Sequence, residues 1–143
     1  MTMSTNTSTD SLPPSPPAIV VVDDHLAFAE TLATLARLAG CTASIVEPRG
    51  VLETAACIAQ AAPDLVFLDV SLAHFDGCEV VAELRRRGSR VRFVAITGDW
   101  RPETAERCRD CGFDEVWHKP IDPARLESYL DAFGDETRRA VRH

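Results

Sequence analysis

The 143-residue chain has no apolar run near the ~20 residues that a membrane span requires. It also lacks an excess of positive charge. Its 22 acidic residues outnumber 15 basic ones, giving a formal net charge of -7. A surface of that sign repels phosphate backbones and argues against non-specific nucleic-acid binding. The first residues, MTMSTNTSTDSLPPSPP, have neither a basic start nor an apolar stretch, so they do not read as a secretory signal. Together these absences point to the cytoplasm. Cysteines are few and odd in number: Cys41, Cys57, Cys78, Cys108 and Cys111. Such scattered residues read as small hydrophobes in a reducing compartment. Cys108 and Cys111 have CxxC spacing, but no second ligand pair accompanies them. They also fall at the end of an expected helix, not at the start where thiols gain reactivity.

Four of the nine prolines lie in residues 1–17 among Ser and Thr. That composition cannot bury enough apolar area to offset ordering entropy, which predicts a disordered tail. One domain is expected over residues 18–134, followed by a short charged tail over 135–143. Within the domain, Ile19-Val20-Val21-Val22, Leu65 to Leu68 and Val91 to Ile96 are continuous apolar runs, as in strands buried on both faces. Ala43 to Val46 and Glu115 to His118 are shorter strand segments. Helices are expected from Phe28 to Ala39, Val51 to Ala61, Glu79 to Arg87, Pro102 to Cys111, and from Pro123 onward. The second should turn Leu52, Ala55, Ala56 and Ala59 inward. This alternation predicts an α/β fold, (βα)5, with a doubly wound parallel five-stranded sheet in the order 2-1-3-4-5. Sites in such sheets lie beyond the carboxyl ends of the strands.

Those strand ends carry Asp23-Asp24, Asp69, Thr97-Gly98 and His118-Lys119. Each alone is ordinary turn chemistry. Together they place three carboxylates, a hydroxyl and an ammonium on one sheet edge. Two carboxylates ~4 Å apart repel by about 4 kcal/mol at an effective dielectric near 20. A divalent cation, a lysine or a proton must offset that. Mg²⁺ (or Mn²⁺) suits an oxygen donor set that leaves positions open for a phosphate. Asp69, alone on a central strand, is the best nucleophile for a phosphoryl group, with Lys119 and Thr97 to hold the transferred oxygens.

The segments VVVDDH (20–25), FLDVSLAHFDG (67–77), VAITG (94–98) and GFDEVWHKP (112–120) resemble the receiver domain of two-component response regulators. The likeness covers about residues 18–134. It implies a CheY-like fold and an Asp69 acceptor phosphorylated from a histidine kinase or a histidine phosphotransfer protein. It further implies a metal held by Asp23, Asp24, Asp69 and the backbone carbonyl of Ser71, and a cis Lys119-Pro120 bond. Such a domain is not a turnover enzyme; it catalyses only its own phosphorylation and dephosphorylation. Output would go through a protein partner or a second receiver (a homodimer) at the face of the fourth helix, fifth strand and fifth helix, or onward by phosphorelay. The start VVVDDH is similar to the subgroup with a helix-turn-helix output domain, yet no residues remain for one here. A stand-alone receiver is therefore expected.

Three departures from the family pattern stand out. Ala73 occupies a position that is often Pro, which predicts a less constrained loop. Val116 stands where an aromatic is usual, and strand alternation sends Trp117 to the opposite face. Asp99, close to Thr97, is expected to flank the phosphoryl group with Ser71 and tune its lifetime. A phosphatase of the haloacid-dehalogenase type would use similar chemistry, but its DxDxT signature is absent after Asp69. A phosphate-independent receiver-like binding module is the remaining alternative.

Overall fold

Five apolar segments become five parallel strands in the computed structural model, which describes residues 15–142. The order along the chain is β1 (Ala18–Val22), α1 (Leu26–Leu38), β2 (Thr42–Val46), α2 (Val51–Ala61), β3 (Leu65–Asp69), α3 (Gly77–Arg86), β4 (Arg92–Thr97), α4 (Pro102–Cys111), β5 (Glu115–His118) and α5 (Pro123–Arg142). The sheet order is β2-β1-β3-β4-β5, as the alternation of elements predicts. Residues 1–14, most of the expected disordered tail, lie outside the described residues.

Alternation along each strand builds two cores, one per face of the sheet. Val20, Val22, Val66, Leu68, Phe93 and Ala95 pack under α2, α3 and α4. Ile19, Val21, Phe67, Val94, Ile96 and Trp117 pack under α1 and α5. β3 is buried at every residue, so its terminal Asp69 is carried into the interior edge of the sheet.

Three details differ from the sequence expectation. Helix α2 turns Thr54, Ala55 and Ile58 inward, leaving Leu52 63% exposed. An alanine-rich helix has a weak periodic signal, and the bulk of Ile58 decides the face. Thr54 is useful inside because its Oγ1 accepts the Arg49 N–H at 3.0 Å. Helix α5 does not end near Gly134 but runs through it to Arg142, so the expected charged tail is helical as far as Arg142. Gly134 is buried there, and the added turns are tied by Arg92–Glu136 (3.1 Å) and Arg138–Asp135 (3.4 Å) ion pairs. Finally, α3 begins at Gly77 rather than Glu79, because Asp76 caps it by accepting the Cys78 N–H at 2.8 Å.

Among the described residues, no helix is long and apolar enough to cross a membrane.

Candidate phosphoryl and metal site

Register brings the chemistry to one edge. Val22 pairs with Leu68, so Asp23 emerges level with Asp69. Asp69 pairs with Ile96, and Thr97 pairs with His118, which precedes Lys119. Asp23, Asp24 and Asp69 offer carboxylate oxygens that all lie within 4.8 Å of one another. Asp23 and Asp69 are buried and Asp24 is exposed, so the cluster opens to solvent on the Asp24 side. A cleft beside Asp23 and Asp24, lined also by Glu47, Leu72 and His74, continues the opening.

The side chains are held individually. Asp23 Oδ1 accepts the His25 N–H at 2.8 Å, and its Oδ2 meets Lys119 Nζ at 3.0 Å. Asp69 Oδ1 accepts the Ser71 N–H at 3.0 Å, and Lys119 Nζ reaches its Oδ2 at 3.5 Å. Asp24 Oδ2 accepts the Ala73 N–H at 2.9 Å. Lys119, the chain's only lysine, also lies over the Phe28 ring, 4.5 Å from its centroid. The Lys119-Pro120 bond is cis. Thr97 is buried, and its Oγ1 accepts the Asp99 N–H at 2.9 Å.

Three carboxylates face one ammonium here. Burial, reinforced by the Asp23 charge, raises the Asp69 carboxyl to about 6 despite the opposing pull of Lys119. Burial alone would lower the Lys119 ammonium, but the hydrogen bond it donates to Asp23 and the two carboxylate charges outweigh it and hold it above its ordinary value. The residual negative charge and all-oxygen donor set fit a hard divalent cation such as Mg²⁺.

The family described as "Response regulator receiver domain" matches residues 19–131. The chain belongs to that family. Among curated proteins, the receiver resembles response regulator MprA of Mycobacterium sp. (strain KMS), 35% identical over 108 residues that cover 74% of this chain and 45% of the relative. It also resembles the photosynthetic apparatus regulatory protein RegA of Rhodobacter capsulatus, at 31% identity over 82% of this chain and 63% of the relative. A stretch of hybrid signal transduction histidine kinase L of Dictyostelium discoideum is 28% identical over 127 residues, 7% of that protein. The chain thus spans less than two thirds of the length of these relatives. Among solved structures, the CheY-like receiver protein of Methanospirillum hungatei superposes with a TM-score of 0.76 at 21% identity, covering 88% of this chain and 99% of that one. The receiver domain of NarL from Mycobacterium tuberculosis gives 0.74 at 22% identity, covering 85% and 98%. The CheY-like α/β fold is therefore shared.

Several departures of this receiver gain a physical account. Ala73 donates a backbone N–H to Asp24 that a proline could not supply. The loop is therefore tied to the acidic cluster rather than loosened. Val116 packs half-buried on the α2–α4 side and Trp117 is buried on the other, as alternation requires. Asp99 does not present its carboxylate to the phosphoryl site. That group accepts from the Arg101 guanidinium and, at 2.7 Å, from Thr104 Oγ1. These hydrogen bonds, Arg101 first, hold the Asp99 carboxyl well below the usual range and turn it to the first turn of α4. Sequence reasoning also missed the Phe28 platform and the stacking of Trp100 on His118.

Proposed function

We propose that this receiver accepts a phosphoryl group on Asp69 from a phosphohistidine of a histidine kinase or histidine phosphotransfer protein. One observation carries the reading: Asp69, Asp23 and Asp24 present oxygens within 4.8 Å of one another beside Lys119 Nζ. Asp23, Asp24, Asp69 and the Ser71 carbonyl would hold Mg²⁺ (or Mn²⁺), which would supply charge neutralisation for the phosphoryl oxygens. Asp69 Oδ attacks phosphorus, and the donor imidazole leaves. Lys119 and the Thr97 hydroxyl then take the phosphoryl oxygens, Lys119 giving up its bond to Asp23 and Thr97 donating its own proton while it accepts the Asp99 N–H. Water later hydrolyses the acyl phosphate, so the domain turns over only on itself.

The signal leaves by a phosphorylation-dependent contact with a protein partner, in the cytoplasm. The face of α4, β5 and α5 suits that role. Helix α4 buries only Thr104 and Cys108, and Trp100 beside it is 68% exposed. A weakly anchored helix is readily repositioned by a change at Thr97.

Incubation with acetyl phosphate and Mg²⁺, followed by intact mass, tests the reading. The expected result is one added phosphoryl group that is lost in Asp69→Asn and in the presence of EDTA. No added mass on the unmutated protein with Mg²⁺ present would leave a phosphate-independent binding module.

A further inference from the structure

Phe28 lies outside the segments that carry the family resemblance, yet its ring faces the phosphoryl site. It is the third residue of α1, half-buried against the apolar layer shared by α1 and α5. The Lys119 ammonium lies over the ring, with Nζ 4.5 Å from its centroid. The first turn of α1 thus reaches the same lysine that Asp23 and Asp69 bind.

Lys119 is held at its two ends. Its backbone N–H donates to the Thr97 carbonyl at 2.8 Å, which fixes the foot of the side chain to the end of β4. Its Nζ donates to Asp23 Oδ2 at 3.0 Å and reaches Asp69 Oδ2 at 3.5 Å. Between foot and tip runs a long flexible stem, whose freedom must be restricted before the tip acts as a fixed charge. The side chain is 29% exposed, so water competes with both carboxylates for the ammonium.

Charge explains why a ring suits the remaining side of that ammonium. Three carboxylates already face it, and phosphorylation adds a further anion at Asp69. A fourth carboxylate would restrain the lysine but deepen the repulsion. A carbonyl oxygen would hold it through a directional bond that has to break when the lysine turns to a phosphoryl oxygen. An aromatic face attracts a cation through its quadrupole, carries no net charge and leaves the N–H donors free. Lys119 can therefore shift from Asp23 toward Asp69 and keep its support.

We propose that Phe28 is a positioning residue for phosphoryl transfer, its ring confining the Lys119 ammonium beside Asp69 without adding charge to the site. Phe28 acts only through Lys119. The proposal rests on the reading of Asp69 as the acceptor.

The test compares Phe28→Leu, which keeps an apolar side chain but removes the ring, with Phe28→Tyr, which keeps the ring. Labelling by acetyl phosphate with Mg²⁺ should slow about fivefold in Phe28→Leu, the size of one cation–π contact at a partly exposed site. Phe28→Tyr should keep the parent rate. In a Lys119→Met background, Phe28→Leu should bring no further slowing. Equal slowing in both backgrounds would overturn the proposal, because Phe28 would then serve packing alone. A second readout needs no phosphorylation. Lys119 is the chain's only lysine, so protein made with isotope-labelled lysine gives a single ε-methylene signal. Shielding by the ring should place that signal upfield in the parent and in Phe28→Tyr relative to Phe28→Leu. The same position in all three would overturn the contact. An upfield signal in a parent protein that takes no phosphoryl group would instead overturn Asp69 as the acceptor and leave the ring contact standing.

Discussion

The Trp100 indole lies nearly flat on the His118 imidazole, with ring centroids 4.1 Å apart and planes inclined by 17°. Trp100 follows Thr97 by three residues, and His118 immediately precedes Lys119. The stack therefore joins the ends of the two strands that carry the Thr97 hydroxyl and lead into the Lys119 ammonium. Any rearrangement of Thr97 or Lys119 must move one of its rings.

That relationship makes Trp100 the reporter of the site. Addition of Mg²⁺ with beryllium fluoride should shift tryptophan emission. Trp100→Phe should abolish the shift, whereas Trp117→Phe should retain it, because Trp117 is buried and held against Phe67 and Tyr129. An identical response in both variants would place the change elsewhere.

Asp69 should cost stability in the metal-free protein. Its folded-state value of about 6 lies above that of an unfolded aspartate, near 4. Between those values the native state binds more protons than the unfolded chain, so stability falls as pH rises through that window. Above it the ionised group costs ~1–3 kcal/mol, at about 1.4 kcal/mol per unit with allowance for relaxation. Asp69→Asn should therefore be more stable by that order in EDTA at about pH 7, and no more stable below about pH 4. Urea unfolding at both values checks the sign.

Lys119 competes with the cation for the same carboxylates. Lys119→Met removes the ammonium 3.0 Å from Asp23 and 3.5 Å from Asp69. Mg²⁺ affinity should rise about tenfold, roughly 1.4 kcal/mol, measured calorimetrically at low salt. Phosphorylation from acetyl phosphate should slow in the same variant, since the group proposed to receive the phosphoryl oxygens is gone. Weaker Mg²⁺ binding would show that the lysine orients the carboxylates more than it neutralises them.

The fold was legible because buried parallel strands write themselves as unbroken apolar runs, and Asp69 and Thr97 follow or end such runs. What escaped the sequence depends on pairs of residues far apart in the chain. Phe28 supports Lys119 from α1, and Ala73 grips Asp24 across 49 positions. Arg85, one of three successive arginines, alone turns inward to bind the Gly112, Ser89 and Val91 carbonyls. Cys78 shares the apolar layer under α2, α3 and α4 with Cys108 and Cys111, of which CxxC spacing revealed only the last two. Local rules also misplaced Asp99, because a carboxylate two residues past Thr97 has a nearer partner in Arg101 than in the phosphoryl site.

Gly77 offers the sharpest test of how tightly the end of β3 is seated. A Cβ there would collide with the Asp69 carbonyl oxygen and come within 3.1 Å of the Val70 Cα. Both obstacles are backbone, so neither can swing aside as a side chain would. Gly77→Ala must push α3 away from the end of β3, at a cost of about 1–3 kcal/mol. The same displacement breaks the 2.8 Å bond from Gly77 N–H to Val70 and tilts Asp69, so acetyl phosphate labelling should slow along with the loss of stability. Gly98→Ala is the matched control. It lies next to Thr97, and a Cβ there meets nothing within 4 Å. Its stability should stay within about 1 kcal/mol of the parent. If urea unfolding finds the two variants equally stable, the β3–α3 seam yields more easily than its backbone contacts indicate, and Asp69 owes its position to side-chain bonds alone.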